Sequence, residues 1–216
     1  MKLNDHPQTK NEELVNCITH ATGLLLSIIG LVALLFRSAG VDEFSHLVAV
    51  SIFGGSLIVL YTASTLYHSF HKPSLKLKLR VFDHSSIYIL IAGSYMPFLF
   101  VNLKHSGGIT FAIIMALFAA AGIIFKLFFT GRFETISTWL YVFMAWLFIF
   151  FYGPAMEHIQ TGGLVLIALG GLFYMSGLVF YKWKTLPFSH SIWHIFVLLG
   201  STFHYFAVFY YAVPVI

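Results

Sequence analysis

Hydrophobic residues in this chain form seven long runs, separated by short polar segments. Runs of about 18–25 apolar residues are typical of helices that cross a membrane, because each helix must span the hydrocarbon layer. The predicted helices are Leu14–Phe36, Leu47–Phe70, Val81–Val101, Ile109–Phe129, Thr135–Tyr152, Gly163–Tyr181 and Ile192–Val213. We therefore expect an all-α, polytopic seven-helix bundle at residues 14–216, a single domain that follows a short tail at residues 1–13.

The sixth predicted helix contains a regular series of glycines. Gly163, Gly170 and Gly177 repeat every seven residues, which keeps one smooth face toward a neighbouring helix. We interpret this face as a packing surface rather than a site of chemistry.

The composition supports the membrane assignment. Of the 216 residues, 59% are hydrophobic and only 9% are charged, and the mean hydropathy is +0.87. A soluble domain of this size cannot bury that much apolar surface. The single cysteine, Cys17, excludes an intramolecular disulfide and leaves nitrogen and oxygen atoms as the ligands for any metal site.

The positive charges predict the orientation of the bundle. If the helices alternate in direction, ten of the twelve Lys and Arg residues lie on the side of the N-terminal tail, including Lys126, which we expect to snorkel from the end of the fourth helix. Only Arg37 and Lys104 lie on the other side. The positive-inside rule then places the N-terminus in the cytoplasm and the C-terminus outside, in the inner (plasma) membrane. Because topology explains the net charge of +4, we expect membrane lipids and no nucleic acid as partners.

A basic connector joins the second and third predicted helices. From His71 to Arg80, leucines alternate with lysines and an arginine toward the end of the segment. We interpret the connector as a positive-inside loop that lies on the bilayer surface. The alternative is that its cations attract anionic lipid headgroups toward a site beneath it.

Carboxylates lie almost entirely outside the predicted helices. Seven of the eight, including Glu13 and Glu134, fall in tails or loops, and Asp83 alone is placed at the start of a spanning helix. Asp83 could simply complement the helix dipole or pair with Arg80, three residues earlier. Taken alone, it does not indicate a catalytic site.

Histidine is the more informative residue, because an imidazole in hydrocarbon is costly unless it has a role. Six of the eleven histidines lie near the predicted cytoplasmic ends of helices: His20, His68, His71, His84, His190 and His194. His190 and His194 are four residues apart and project from one helical face, a spacing that helical zinc sites use. Such a pair alone is a weak signal, since helix-end polarity explains it more often.

Residues at the same depth on two other helices strengthen the interpretation of this pair as metal ligands. Ser64 and His68 are four residues apart on the second helix, and Asp83 opens the third. Three neutral imidazoles are the usual protein complement of a catalytic zinc, so this constellation predicts a mononuclear metal site. Asp83 would either orient a ligand or act as a general base toward water on the metal. Ser64 would hydrogen-bond a substrate carbonyl or, alternatively, its own helix.

Of three further histidines, two could lie next to this site and one is too far away. His20 and His84 are candidates to support the ligands from behind. His204 lies fourteen residues beyond His190, roughly 21 Å along the helix, and cannot share the site.

Taken together, the motifs resemble those of a known family. Its features here are Ser64-x-x-x-His68, Asp83 at the head of the third helix, Ala92-Gly-Ser-Tyr-Met-Pro97, and His190-x-x-x-His194. They resemble the bacterial hemolysin III branch of the progestin and adipoQ receptor family, whose wider superfamily includes the alkaline ceramidases. The resemblance runs from about Glu12 to the end of the chain. It implies a zinc ion bound by His68, His190 and His194, with Asp83 contacting the metal through water and Ser64 nearby.

The resemblance also implies functions of two different classes. The adiponectin receptors are similar to ceramidases in the design of their site and are thought to hydrolyse lipid amides, so the first hypothesis is a zinc-dependent hydrolase of a lipid amide or ester bond. The alternative is a pore-forming cytolysin, or a non-enzymatic membrane sensor with a structural metal. A proton or metal-ion transporter is a further alternative. A retinal protein is excluded, because the seventh helix contains no lysine for a Schiff base.

Overall fold

The computed structural model of the protein describes residues 8–39 and 44–213. Residues 1–7 of the predicted N-terminal tail, residues 40–43 between the first two helices, and residues 214–216 lie outside the described part.

Helices form almost all of the described chain, in the order α1 (Lys10–Ala39), α2 (Phe44–Ser69), α3 (Pro73–Pro97), α4 (Ile109–Phe129), α5 (Glu134–Trp146), α6 (Tyr152–His158), α7 (Thr161–Lys182) and α8 (Ser189–Ala207). A 3-10 turn at Leu147–Phe151 joins α5 to α6, and these elements together form one span. Seven spans in the described chain are long and apolar enough to cross a membrane. The predicted all-α, seven-helix membrane fold is confirmed.

The first helix begins at Lys10, four residues earlier than the hydrophobic run indicates. A capping box explains the early start. The Glu12 N–H donates to Thr9 Oγ1 at 3.2 Å, and the Thr9 N–H donates in return to Glu12 Oε2 at 2.8 Å. The polar residues at the end of the predicted tail are therefore helical, and their side chains have defined directions.

The third helix also begins early, at Pro73 rather than Val81. Proline suits the first turn of a helix, because its missing N–H would have no partner there. The basic connector is therefore not a loop over most of its length. From Pro73 to Arg80 it is the first two turns of α3, so its cations occupy fixed positions around that helix.

The helices pack mainly on their sequence neighbours, and α1 also packs against α8. One core cluster lies around Phe53, Tyr61 and Val197, and a second lies around Tyr88 and Met115. Among the described residues, α5 contacts α3 and α4 but shares little direct contact with α7. The span that α5 and α6 form is thus only loosely packed against α7.

A chain of hydroxyl groups connects α2, α8 and α7 inside the bundle. The Tyr61 hydroxyl donates to Ser201 Oγ at 2.9 Å, and the Tyr174 hydroxyl lies 2.8 Å from the same oxygen. Tyr61 is seven residues before His68, and Ser201 is seven residues after His194. Since seven residues correspond to roughly 10 Å of helix, this contact fixes the relative height of α2 and α8 about two turns from those histidines.

The glycine face of α7 packs against α8, as its seven-residue spacing predicts. Gly163, Gly170 and Gly177 are all buried. A Cβ atom added at Gly177 would lie 2.7 Å from the Cβ of Phe196, which cannot move without the backbone of α8. The smooth face therefore allows α7 and α8 to approach closely.

We expect Gly177→Ala to destabilise the protein by about 1–3 kcal/mol, because the added methyl group overpacks the contact between α7 and α8. Gly171→Ala on the same helix is the matched control, since an added Cβ there meets no atom within 4 Å. Alanine also favours helix, so the control should be as stable as the wild type or slightly more stable. Thermal unfolding in detergent, followed by circular dichroism, measures both, and equal melting temperatures would contradict the close approach.

Candidate metal centre

Three imidazoles converge at one end of the bundle. His68 lies in the last turn of α2, and His190 and His194 lie in the first turns of α8. One ring nitrogen from each residue lies within 4.8 Å of the other two, so these residues could hold a metal ion. We call them the histidine cluster. The two helices run in opposite directions, which is why a C-terminal turn and an N-terminal turn meet.

The His68 ring is arranged as a metal ligand. Its Nδ1 lies 2.6 Å from Oε2 of Glu13, to which it donates, and its Nε2 is buried without a hydrogen-bond partner among the described atoms. Donation from Nδ1 leaves the lone pair on Nε2, and a metal ion would satisfy that otherwise costly nitrogen. The donor set therefore fits a metal that prefers imidazole nitrogen.

The His194 ring is also oriented through contacts of its Nδ1 atom. Its Nδ1 lies 3.3 Å from the backbone oxygen of Asn16 and 3.3 Å from Thr19 Oγ1. The Asn16 side chain in turn accepts a hydrogen bond from the Ser191 hydroxyl at 2.5 Å. Helix α1 therefore sets the orientation of a ligand on α8 and leaves its Nε2 directed away from these contacts.

Glu13 was predicted to lie in the N-terminal tail, but the structure places it within α1, with its side chain buried. Its residue exposure is 7%, because α1 starts early enough to turn it toward α2. A periodic pattern in the sequence of α1 could have identified Glu13 as a buried residue. The buried positions of α1 begin with Glu13, Asn16, His20 and Gly23, so polar and small residues recur every three or four positions within an otherwise apolar helix.

Of the histidines predicted to support the site, His20 is in contact with the cluster. Its ring stacks on His194 with centroids 3.5 Å apart and planes at 11°, and both of its nitrogens are buried without a partner among the described atoms. His204, which was predicted to lie too deep, packs against Tyr174 instead. The other predicted supporting residue, His84, faces a second cluster of charges.

The structure brings the two predicted catalytic residues together beside the histidine cluster. Asp83 and Ser64 are 9% and 1% exposed. The Ser64 hydroxyl faces the Asp83 carboxylate and can donate a hydrogen bond to it, and His68 lies near enough to interact with the same carboxylate. Asp83 is not one of the three residues that converge within ligand distance. Asp83 therefore lies beside the histidine cluster rather than within it.

A buried ion network lies on the far side of Asp83. Lys126, predicted to snorkel, is 1% exposed, and its Nζ lies 2.8 Å from Glu134 Oε2 and 3.2 Å from His84 Nδ1. Arg80 pairs with Glu134 at 3.2 Å, and its charge also acts on Asp83, the partner that the sequence suggested. Glu134, predicted to lie in a loop, begins α5. The network ties α3, α4 and α5 together and provides positive charge near the Asp83 carboxylate.

The chain resembles known proteins over almost its whole length. A family model described as "Haemolysin-III related" matches residues 8–205, a range that contains the histidine cluster. "Hemolysin-3" of Bacillus cereus is 41% identical over 213 residues, which are 99% of this chain and 97% of that protein. The "Hemolysin-3 homolog" of Bacillus subtilis (strain 168) is 44% identical over 207 residues, covering 96% of this chain and 97% of the relative. "Monocyte to macrophage differentiation factor" of Homo sapiens is 33% identical over 211 residues, covering 93% and 84%.

Breaking the ion network on one side should destabilise the protein more than replacing both partners. We expect Lys126→Met to leave Glu134 with Arg80 as its remaining ion partner. The cost should lie below the ~3–5 kcal/mol found for fully buried pairs, because that partner remains and the Glu134 side chain is 28% exposed. The double variant Lys126→Met/Glu134→Gln should recover much of that loss. Melting temperatures in detergent of the wild type, the two single variants Lys126→Met and Glu134→Gln, and the double variant test this, and additive losses would contradict direct pairing.

Proposed function

The chain belongs to the haemolysin-III-related family, and we propose that it is an integral membrane hydrolase that uses one zinc ion to cleave an amide or ester bond of a membrane lipid. His68, His190 and His194 would hold the zinc. The observation that carries the proposal is the convergence of these three imidazoles, with Asp83 beside them, at one end of a membrane-spanning bundle.

The donor atoms support zinc in particular. The cluster offers three imidazole nitrogens, the usual protein ligands of catalytic zinc, and two of the rings are already oriented by hydrogen bonds from Nδ1. Zinc held there would supply Lewis-acid polarisation of the scissile carbonyl group.

Asp83 would act as the general base. In this proposal its carboxylate accepts a proton from the water that attacks the carbonyl carbon, and a new C–O bond forms. The proton then passes to the leaving nitrogen or oxygen as the original C–N or C–O bond breaks. Ser64 would keep the carboxylate in position by donating to it. The products are a lipid carboxylic acid and an amine or alcohol.

The charge distribution and the packing support access from the bilayer. By the positive-inside rule, the N-terminus and the histidine cluster would face the cytoplasmic side of the inner (plasma) membrane, with the C-terminus outside. A lipid would then reach the site laterally, and the sparse contact between α5 and α7 offers a route of entry.

The names of two relatives favour a second candidate function. Proteins called "Hemolysin-3" and "Hemolysin-3 homolog" are similar over nearly the full chain, which supports a cytolytic activity in which the metal is structural. A non-enzymatic membrane sensor would use the metal in the same structural way.

Elemental analysis tests the metal. We expect about one zinc per chain in detergent-purified wild-type protein, because three imidazoles complete a zinc site with one position left open. His190→Ala/His194→Ala should lose it, since one imidazole alone binds zinc weakly. Glu157→Gln, an exposed position, serves as the control and should keep the metal. A folded wild-type protein that binds no metal would contradict the proposal.

Catalysis is tested separately by Asp83→Asn, which removes the base but not a ligand. We expect zinc content close to that of the wild type and a loss of lipid-amide hydrolysis of about 100-fold or more, the usual scale of general-base catalysis. The measurement is product release from a fluorescent ceramide or fatty-acyl ester in mixed micelles. If this variant and Ser64→Ala keep their metal and still lyse erythrocytes as the wild type does, the cytolysin is favoured over the hydrolase.

A further inference from the structure

We infer that Glu13 positions His68 for metal binding and that Lys76 holds Glu13 in place. Both are positioning residues, and neither would touch the metal. The inference rests on the proposed function, because it assumes that His68 is a metal ligand. Glu13 on α1 and Lys76 on α3 are neither metal ligands nor participants in the proposed reaction. The inference gives each of them a role.

The Glu13 carboxylate is held on both of its oxygens. Oε2 lies 2.6 Å from His68 Nδ1, and Oε1 lies 2.7 Å from Lys76 Nζ. The side chains of His68, Glu13 and Lys76 are 0%, 9% and 13% exposed. A carboxylate with one partner could rotate about its last bond, but two partners on different helices leave a single orientation. The direction of the imidazole follows from it.

Lys76 anchors this arrangement to two further groups. Its ammonium donates to the backbone oxygen of Tyr67 at 3.2 Å and lies 4.7 Å from the centroid of the Tyr67 ring. Tyr67 directly precedes His68, so the same lysine contacts both the carboxylate and the turn that carries the ligand. A carboxylate buried without compensation would be costly, and the charge of Lys76 provides the compensation.

The expected effect is on metal affinity. An imidazole that loses the partner of its second nitrogen samples other ring orientations, and variants of such partners typically bind metal about 10–100-fold more weakly. Lys76 acts through Glu13, so its removal should have a smaller effect in the same direction. Lys78, two residues further along α3, is exposed and provides a matched control for the loss of a positive charge.

The test measures zinc affinity of the full-length protein in detergent by competition with a chromophoric chelator. We expect Glu13→Ala to bind about 10–100-fold more weakly than the wild type. Lys76→Met should be intermediate, and Lys78→Met should be unchanged. Glu13→Gln should recover part of the loss, because its amide oxygen still accepts the Nδ1 hydrogen bond. This conservative variant also keeps the test decisive if Glu13→Ala does not fold.

The visible spectrum of the cobalt-substituted protein gives a second readout. At saturating cobalt, the ligand-field bands should change in Glu13→Ala and remain unchanged in Lys78→Met, since only the first alters the geometry of a ligand. Wild-type affinity and spectra in the Glu13 and Lys76 variants would overturn the inference while leaving the zinc site intact. A wild-type protein that binds neither metal would overturn the proposed function, and the inference would fall with it.

Discussion

The polar face of α1, from Glu13 to His20, is the feature on which the geometry of the candidate metal centre depends. It contacts both helices that carry the three histidines, since Glu13 binds His68 on α2 while Asn16 and Thr19 bind His194 on α8. Without these contacts the rings of His68 and His194 would be free to turn. Hydrogen bonds to Nδ1 give these two imidazoles a fixed direction. A helix outside the histidine cluster therefore orients two of its three rings.

The membrane makes such support more valuable than it would be in water. Inside a bundle, a polar group that lacks a partner has no solvent to replace it. The same constraint explains the network of Lys126, Glu134, Arg80 and His84, which satisfies charged groups near the Asp83 carboxylate and joins three helices. Asp83 thus lies between two supported clusters, one that could hold the metal and one that is positively charged.

Helix register is controlled at two levels. At the end of the bundle, α1 fixes the orientation of the rings. About two turns away, the contact of Tyr61 with Ser201 fixes the height of α2 against α8, and the glycine face of α7 allows a close contact on the other side of α8. A shift of one residue along either helix would move a ligand by about 1.5 Å and rotate it by about 100°, so the geometry of the site depends on packing well away from it.

The hydrophobic runs and the spacing of polar residues were sufficient to predict the seven spans and, with the family resemblance, the three histidines, Asp83 and Ser64 as neighbours. This succeeded because the thickness of a bilayer sets the length of each span, and because residues near the same ends of antiparallel helices must lie at one depth. The partners of those residues were decided by the tertiary structure. Glu13 and Lys126 lie where an apolar run meets polar sequence, and a long side chain there can reach either water or the interior. The structure shows that both side chains reach the interior: Glu13 contacts His68 on α2 and Lys76 on α3, and Lys126 contacts His84 on α3. These contacts join segments distant in the chain, so only the tertiary structure could decide them.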